Sequence, residues 1–217
     1  LTSRVEDASF PPVRFATEAD AEVSLEGSSP TEKEGHIAYV GVSPIGEVED
    51  TRDEAETAAE RIASVKSLEH IVSRGESESF RLLGDAMFVH ESLKHGGELT
   101  ELTATPEGGE MTVRLAGRES KAPFVSMMKK EYDDVELLST EQRQRESGIR
   151  SGFLKSLEDE LSQSQLETLR TAYHSGYFNS PKDRNSREIA EVMDVSQPTV
   201  TENIKAAERT ILREMFD

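Results

Sequence analysis

Apolar residues recur at helical spacing near the end of the chain. The positions follow steps of four, three and four residues: Val200, Ile204, Ala207 and Ile211. On a helix this spacing places the four side chains in one narrow stripe. A shorter helix is predicted at 186–193, and Ser186 is expected to cap its start. Only residues 194–196 separate the two segments, with Val195 expected as an apolar plug. A short helix, a tight turn and a longer amphipathic helix are typical of a helix-turn-helix.

Two further helices are predicted ahead of this pair. The first spans 152–161, with Phe153, Leu154, Leu157 and Leu161 facing inward. The second spans 162–176, where Ser162 and Gln165 form a capping box and Gly176 ends the helix. Residues 139–151 are polar and nearly free of apolar side chains, which predicts a linker. A helical domain is therefore expected over 152–217.

The first 138 residues mix strand-like and helix-like patterns. Strands are predicted at 36–42, 67–74, 78–84 and 135–138, and helices at 53–65, 85–97 and 121–132. Residues 98–117 contain two alternating runs around Pro106, Gly108 and Gly109, which predicts a hairpin. Two α-β-β-α-β-like stretches in series indicate an α+β domain over 1–138 with a mixed sheet, ferredoxin-like order being one candidate. No internal sequence repeat is evident.

Charge changes this picture, because the chain carries 43 Asp plus Glu against 25 Lys plus Arg, a net charge of -18. One interpretation is an ordinary acidic surface, and the other is adaptation to a cytoplasm of high salt, where dense carboxylates keep a protein hydrated. Composition alone does not decide between them. The chain has no cysteine, which excludes disulfides and thiolate metal sites and favours an intracellular location. No apolar run approaches the length of a membrane span, so no membrane partner is expected. The chain begins at Leu1 and not at Met, as a fragment of a longer protein would.

The acid load is uneven along the chain. Residues 161–217 hold seven Lys plus Arg and nine Asp plus Glu, whereas residues 1–160 hold 18 and 34. The excess of acid is therefore mostly relieved in the segment with the helix-turn-helix pattern. In that geometry the first turns of the second helix face base edges in the major groove. The predicted base contacts are Gln197, Thr199, Thr201, Glu202 and Lys205, whose side chains all have base-edge partners.

Contacts to the DNA backbone are predicted around the same helix pair. The candidates are Lys182, Arg184, Ser186, Arg187, Ser196 and Arg209. For Lys182, Arg184 and Arg187 the alternative is a solvated loop, and Arg209 could instead pair with neighbouring acids. Tyr173, Tyr177 and Phe178 are interpreted as core packing, because proteins that read duplex DNA rarely stack on bases.

Catalytic and cofactor motifs are not evident in the sequence. The five histidines lack the spacing of a metal site, and no glycine-rich phosphate loop occurs. Serine nucleophile motifs are missing as well. No cofactor and no metal are therefore expected, and the chain is predicted not to be an enzyme.

The segment from Leu161 to Leu212 closely resembles the helix-turn-helix domain of the bacterio-opsin activator family of haloarchaeal regulators. The strongest local match is AYHSGYFNSP (172–181), where the family has Ala-Tyr, Gly-Tyr-Phe and then Pro-Arg. Pro181-Lys182 stands in place of Pro-Arg, and Asn179 and Ser180 stand where an aromatic often follows. Residues 60–138 more loosely resemble the α+β domain that precedes this helix-turn-helix in the family. The resemblance implies a haloarchaeal cytoplasm, which favours the high-salt interpretation of the acid excess.

These features together predict a sequence-specific transcriptional regulator that binds double-stranded DNA. A single helix-turn-helix reads few base pairs, so a homodimer is expected on DNA. The N-terminal domain would sense a small-molecule effector, mediate oligomerisation or contact another protein. Two alternatives stay open: a metabolite-binding module or enzyme with a helical docking tail, and an adaptor that acts on basal transcription factors without DNA contact.

Overall fold

The computed structural model describes residues 1–30, 36–46, 50–85, 87–140, 157 and 160–216. The chain divides into two compact units near residue 141. The first unit contains a β-sheet with helices, and the second contains α-helices. The α+β class predicted from the sequence is therefore confirmed. The predicted linker lies almost wholly in residues 141–151, outside the described part of the chain, and so does most of the helix predicted at 152–161.

Eight strands join in one sheet in the first unit. They are β1 (Thr2–Val5), β2 (Ala21–Pro30), β3 (His36–Pro44), β4 (Val65–Arg74), β5 (Ser77–Gly84), β6 (Gly97–Thr105), β7 (Gly108–Leu115) and β8 (Val135–Ser139). The strand order is β4-β5-β3-β2-β6-β7-β1-β8. Every strand pair whose register is described is antiparallel. The stretches that suggested ferredoxin-like order are thus parts of one eight-stranded sheet.

In the described part of the chain, four helices accompany this sheet and three lie in the second unit. The first four are α1 (Pro11–Glu18), α2 (Thr51–Arg61), α3 (Val89–Lys94) and α4 (Lys121–Glu131), the last preceded by a 3₁₀ turn (Arg118–Ser120). The other three are α5 (Gln163–His174), α6 (Ser186–Met193) and α7 (Gln197–Phe216). The main core packs apolar side chains of α1, α2 and α4, such as Phe15, Ala58 and Phe124, with strand residues such as Val40 and Met111. Along β6 and β7 buried and exposed positions largely alternate, as on a sheet with one apolar face.

The sheet has an internal symmetry of connection. From its centre outward, β2, β3, β5 and β4 lie on one side and β6, β7, β1 and β8 on the other. One side contains β2-β3-α2-β4-β5-α3 in chain order. The other side has the same arrangement, with β6-β7-α4-β8 in chain order and with β1-α1, from the N-terminal end of the chain, in the places of β5 and α3. The two halves meet at β2 and β6, where the paired residues are Val23 with Ala104 and Ser24 with Thr103. The structure therefore shows a repeat of topology that the sequence did not reveal.

No helix or strand is predicted from the sequence of the first 30 residues, where the structure has β1, α1 and β2. The signals are weak, because α1 spans only eight residues and no side chain hydrogen-bonds at its cap, Phe10. Pro11 is compatible with the first helical position, where the missing N–H is not needed. Phe10 itself is fully buried and stacks edge-on against Phe88 at 5.2 Å and Tyr132 at 5.1 Å between ring centroids. Tertiary packing defines this segment more than local pattern does.

The helix predicted at 85–97 is wrong in its length, because α3 covers only Val89–Lys94. Phe88 adopts a left-handed backbone conformation, φ 58°, which prevents the helix from starting earlier. Asp85 still acts on the helix start: its carboxylate accepts hydrogen bonds from the backbone N–H groups of His90 (2.7 Å) and Glu91 (2.9 Å). Gly97, placed in this helix by the prediction, is the first residue of β6.

Other local predictions are confirmed. The strands predicted from residue 36 to 84 correspond to β3, β4 and β5, and residues 98–117 contain the β6–β7 hairpin. Ser162 and Gln165 form the predicted capping box at the start of α5. At its end Gly176 has φ +67°. The N–H of Gly176 bonds to the carbonyl of Tyr173, and the N–H of Tyr177 bonds to that of Ala172, the Schellman pattern.

Two histidines of the first unit lie side by side. The ring centroids of His36 on β3 and His90 on α3 are 5.5 Å apart. Among the described residues, the buried Nδ1 atom of each ring has no hydrogen-bond partner. Burial lowers the pKa of His36 below its ordinary value of 6.5, and the neighbouring His90 lowers it further. Protonation of His36 is therefore disfavoured in the folded state.

A pH dependence of stability follows from this lowered pKa. The contribution of neutral His36 to the free energy of unfolding is present above about pH 6.5, where His36 is neutral in the unfolded chain too. It is lost as the pH falls below 6.5 and through the lower folded-state pKa, because the unfolded chain then binds the proton more readily. We expect His36→Gln to flatten the free energy of unfolding between pH 7 and pH 5, measured by urea denaturation at constant salt. Equal slopes for wild type and variant would contradict the assignment.

Gly176 provides a second prediction, with Gly75 as a matched control. The two have nearly equal φ, +67° and +69°, but a Cβ at Gly176 would lie 2.2 Å from Oδ2 of Asp183, whereas one at Gly75 meets nothing within 4 Å. We expect Gly75→Ala to cost about 1 kcal/mol of local stability, from the left-handed backbone alone. Gly176→Ala should cost about 2–3 kcal/mol, because Asp183 must also move. Amide hydrogen exchange in each unit would measure both costs; similar values would refute the steric argument.

Candidate nucleic-acid interface

The helix pair α6–α7 is held together by an apolar contact. Ile189 and Ala190 of α6 pack with Val200 and Ile204 of α7, and Ala172 of α5 completes the buried cluster. The stripe predicted along α7 is therefore confirmed in its first three positions, and Ile211 is half-buried. The contact leaves the opposite side of the first turns of α7 open to solvent.

The turn between the helices is built on one left-handed residue. Asp194 ends α6 with φ 52° and ψ 46°, and the next N–H, that of Val195, bonds to the carbonyl of Ala190 at 3.0 Å. Asp is one of the few residues other than Gly that adopt this conformation readily. Val195 was expected to plug the turn, but its side chain is 40% exposed. The reversal of the chain is achieved by the backbone of Asp194 without an apolar plug.

The cap of α6 differs from the prediction. Asn185, and not Ser186, precedes the first helical residue, and its side chain accepts hydrogen bonds from the N–H groups of Arg187 (2.9 Å) and Glu188 (3.3 Å). Glu188 returns a bond to the N–H of Asn185 at 2.8 Å, which completes a capping box. The extended backbone of Asn185 (ψ 173°) places its side chain over the helix start, and Asn caps as well as Ser. The hydroxyl of Ser186 is thereby released from the cap.

Ser196 caps α7, since its hydroxyl accepts a hydrogen bond from the N–H of Thr199 at 3.3 Å. The hydroxyls of Ser196 and Thr199 are also 2.7 Å apart and share a hydrogen bond. Thr201 donates its hydroxyl hydrogen to the carbonyl of Gln197 one turn earlier, at 3.1 Å. Three hydroxyl groups predicted to contact DNA thus make bonds with one another or with the backbone at the start of α7, and both threonines are half-buried.

The remaining base candidates lie on the exposed surface of α7. Gln197, Glu202 and Lys205 are exposed. Gln197 is the first residue of the helix, and its side-chain amide nitrogen donates to the hydroxyl of Ser186 at 3.1 Å. Since these residues share the first two and a half turns of the helix, they can address neighbouring base pairs. They offer an amide, a carboxylate and an ammonium group, which recognise different base edges.

The phosphate candidates are more dispersed. Lys182 places its ammonium 3.5 Å from the ring centroid of Tyr177, and Arg187 pairs with Glu191 on the same helix at 3.4 Å. Both contacts are exposed and worth less than about 1 kcal/mol each, so either cation can turn to a phosphate. Arg184 is half-buried and engaged within the protein. Arg209 is exposed on the second half of α7.

The core role predicted for the aromatics is wrong for two of the three. Tyr173 is 67% exposed and Phe178 is 45% exposed, while Tyr177 is half-buried against the cluster of the helix pair. The loop that holds them is tied internally: Asn179 donates to Asp183 at 2.7 Å, and the N–H groups of both residues bond to the carbonyl of Gly176. These bonds turn Phe178 outward, whereas Tyr177 folds back over the helices.

A polar contact that sequence reasoning missed joins α7 to α5. The side-chain amide of half-buried Asn203 donates to the hydroxyls of Ser164 and Thr168, both at 3.0 Å. Thr168 in turn donates to the carbonyl of Ser164 at 2.7 Å. The sequence does offer one signal for this contact. Asn203 precedes the apolar Ile204, and a polar side chain beside the buried stripe is placed to bond to a neighbouring helix. The contact fixes how α7 is rotated about its own axis relative to α5.

Two features are absent from the described part of the chain. No three His, Asp or Glu side chains come close enough together there to hold a metal ion. Among the helices of that part, none is both long and apolar enough to cross a membrane.

Comparison with known proteins assigns both units. Residues 1–153 match the BAT family, described as a GAF and HTH_10 associated domain, and residues 161–213 match the HTH_10 family, described as an HTH DNA binding domain. No solved structure matches the chain. The cap, turn and apolar contact of α6 and α7 therefore lie within a recognised DNA-binding domain.

Three curated relatives are haloarchaeal. A Haloferax volcanii protein named as a transcriptional regulator is 25% identical over 94% of this chain, which covers 34% of the relative. The transcriptional regulator NarO of Haloferax volcanii is 32% identical over 57% of the chain and 58% of its own length. The bacterioopsin transcriptional activator of Halobacterium salinarum is 26% identical over 71% of the chain and 23% of its own length. The chain thus spans between about a quarter and three fifths of the relatives it matches.

The printed names of all three relatives describe regulation of transcription. The prediction that the chain is not an enzyme agrees with these names. With the BAT match covering more than half of the sequence, the chain belongs to the bacterio-opsin activator-type helix-turn-helix family of haloarchaeal transcriptional regulators.

Proposed function

We propose that the protein is a sequence-specific transcriptional regulator of a halophilic archaeon, and that α7 reads the major groove of its DNA sites. The observation that carries the proposal is the polar start of α7. Its apolar stripe is buried against α5 and α6, which leaves Gln197, Glu202 and Lys205 exposed together. This arrangement matches the way a recognition helix presents its first turns to base edges.

Short-range contacts should supply most of the affinity. At the molar salt of such a cell, the Debye length is about 3 Å, so the acidic first 160 residues repel DNA only weakly. The same salt reduces the gain from counterion release, which is the main electrostatic source of DNA affinity in dilute solution. Hydrogen bonds to base edges and close phosphate contacts then remain as the main contributors. The proposed phosphate contacts are the exposed cations Lys182, Arg187 and Arg209, together with Arg184, Ser186 and Ser196.

The oligomeric state and the role of the first unit are part of the proposal. A homodimer would place two copies of α7 in successive major grooves and double the number of base pairs read. The sheet unit would sense a signal, such as a small-molecule effector, or mediate this association. Contact with basal transcription factors is a further route to regulation. A regulator with these partners would act in the cytoplasm, without a cofactor.

Genome-wide mapping of DNA occupancy, followed by footprinting of the purified protein at molar salt, tests the proposal. Discrete protected sites that contain an inverted repeat would support a sequence-specific dimer. An absence of protected sites would refute direct readout. Occupancy that persists only while a basal transcription factor is present would instead favour the adaptor. Saturable binding of a small molecule, with no DNA protection in its presence or absence, would favour the metabolite-binding module.

Two substitutions separate base contacts from phosphate contacts. Lys205→Ala should alter the preferred base at one position of the site, whereas Arg187→Ala should weaken all sequences alike and reduce the slope of log affinity against log salt by about one. Arg187 is the better phosphate probe because its side chain is 78% exposed, whereas Arg184 is engaged within the protein. Binding to a randomised DNA library, measured at two salt concentrations, reads out both effects. An identical pattern of losses in the two variants would refute the assigned roles.

A further inference from the structure

The first residues of the two helices of the helix-turn-helix are joined directly. The amide nitrogen Nε2 of Gln197, which begins α7, donates to the hydroxyl oxygen of Ser186, which begins α6, at 3.1 Å. The two residues are eleven positions apart, and both are on the surface that the proposed function assigns to DNA. The bond therefore links a predicted phosphate contact to a predicted base contact.

Ser186 has the capacity for this bond because another residue caps its helix. The side chain of Asn185 accepts hydrogen bonds from the N–H groups of Arg187 and Glu188, and the side chain of Glu188 accepts one from the N–H of Asn185. A serine hydroxyl has one hydrogen to donate and two lone pairs that accept. After accepting from Gln197, Ser186 still has its hydrogen, which can be donated to a phosphate oxygen.

Counting donors and acceptors in the same way shows that Gln197 keeps enough of them to recognise a base. Its amide carries two N–H hydrogens and one carbonyl oxygen. One hydrogen is donated to Ser186, so one N–H and the carbonyl oxygen remain. That is the donor and acceptor pair that glutamine presents to N7 and N6 of adenine. The contact to Ser186 therefore costs the side chain none of its ability to read adenine.

The phosphate contact also decides which way round the amide lies. If the hydroxyl hydrogen of Ser186 is donated to a phosphate, only its lone pairs face Gln197, and they accept from N–H. The carbonyl oxygen of Gln197 is then excluded from Ser186 and directed away from it. Without such a partner, a long and flexible glutamine side chain would have to be ordered at the moment of binding, which lowers affinity and discrimination.

We propose that Ser186 is a positioning residue for base recognition: it orients the amide of Gln197 for adenine while its own hydroxyl contacts the DNA backbone. This inference rests on the proposed function, since it requires α7 to read the major groove. It differs from a plain phosphate contact in one respect. Loss of the Ser186 hydroxyl must change base preference as well as overall affinity.

The test is selection from a randomised DNA library at molar salt with the full chain. The proteins are wild type, Ser186→Ala, Gln197→Ala and the double variant, with Arg187→Ala as a control for a phosphate contact. We expect Gln197→Ala to lower the preference for adenine at one position about tenfold. Ser186→Ala should lower it severalfold at that same position, and the double variant should match Gln197→Ala there, because the two residues act as a unit. Arg187→Ala should leave that preference unchanged.

Three other results have distinct meanings. A loss of affinity in Ser186→Ala with wild-type base preference would overturn the positioning role and leave the proposed function intact. Unchanged preference in Gln197→Ala would overturn the inference at the base contact itself. No sequence preference in the wild type would refute the proposed function. Thermal unfolding of each variant separates these outcomes from loss of fold. If Ser186→Ala is destabilised, Ser186→Thr serves in its place: it keeps the hydroxyl and should retain more of the preference for adenine than Ser186→Ala does.

Discussion

The buried contact between α6 and α7 is the interaction on which the helical unit depends. Ile189, Ala190, Val200 and Ile204 are nearly inaccessible, so α7 has one rotation about its axis that buries its apolar stripe. Asn203, bonded to two hydroxyls of α5, favours the same rotation by polar contacts. Any other rotation of α7 would break the hydrogen bonds of this half-buried amide, so the polar contact penalises alternative rotations. The polar side chains at the start of α7 are positioned as a result of both.

Acidity and DNA binding are compatible in this chain because they are separated along the sequence. Most of the excess carboxylate lies before residue 161. In the helical unit several cations are near acids of their own, as with Arg187 and Glu191, or Arg213 and Glu160. Such exposed pairs contribute little to stability and exchange easily for a phosphate. The protein can therefore remain strongly acidic overall and still present cations locally.

The sequence predicted those features that depend on spacing along one element. The stripe of α7, the capping box of Ser162 and the β6–β7 hairpin need only neighbouring residues to be recognised. The errors occur where distant parts of the chain decide. Phe88 is left-handed in a segment whose local pattern is helical, and its ring packs on Phe10, nearly eighty residues away. Phe178 is apolar yet exposed, because the bonds between Gly176, Asn179 and Asp183 set the loop. Asn185 and Ser186 are adjacent and both are good caps, so the sequence does not show at which of the two the helix begins.

The position of β1 has a consequence for how the sheet unit is joined to other parts of a polypeptide. Thr2 of β1 is the register partner of Ser139 of β8, so the first and last strands of the sheet begin and end at the same corner. A domain fused ahead of Leu1 and the chain that continues beyond Ser139 would be attached there within one strand spacing of each other. A pulling force applied at one attachment would reach the other across the single pair of hydrogen-bonded strands β1 and β8. The other six strands would be bypassed, which makes this corner a short mechanical connection through an otherwise broad sheet.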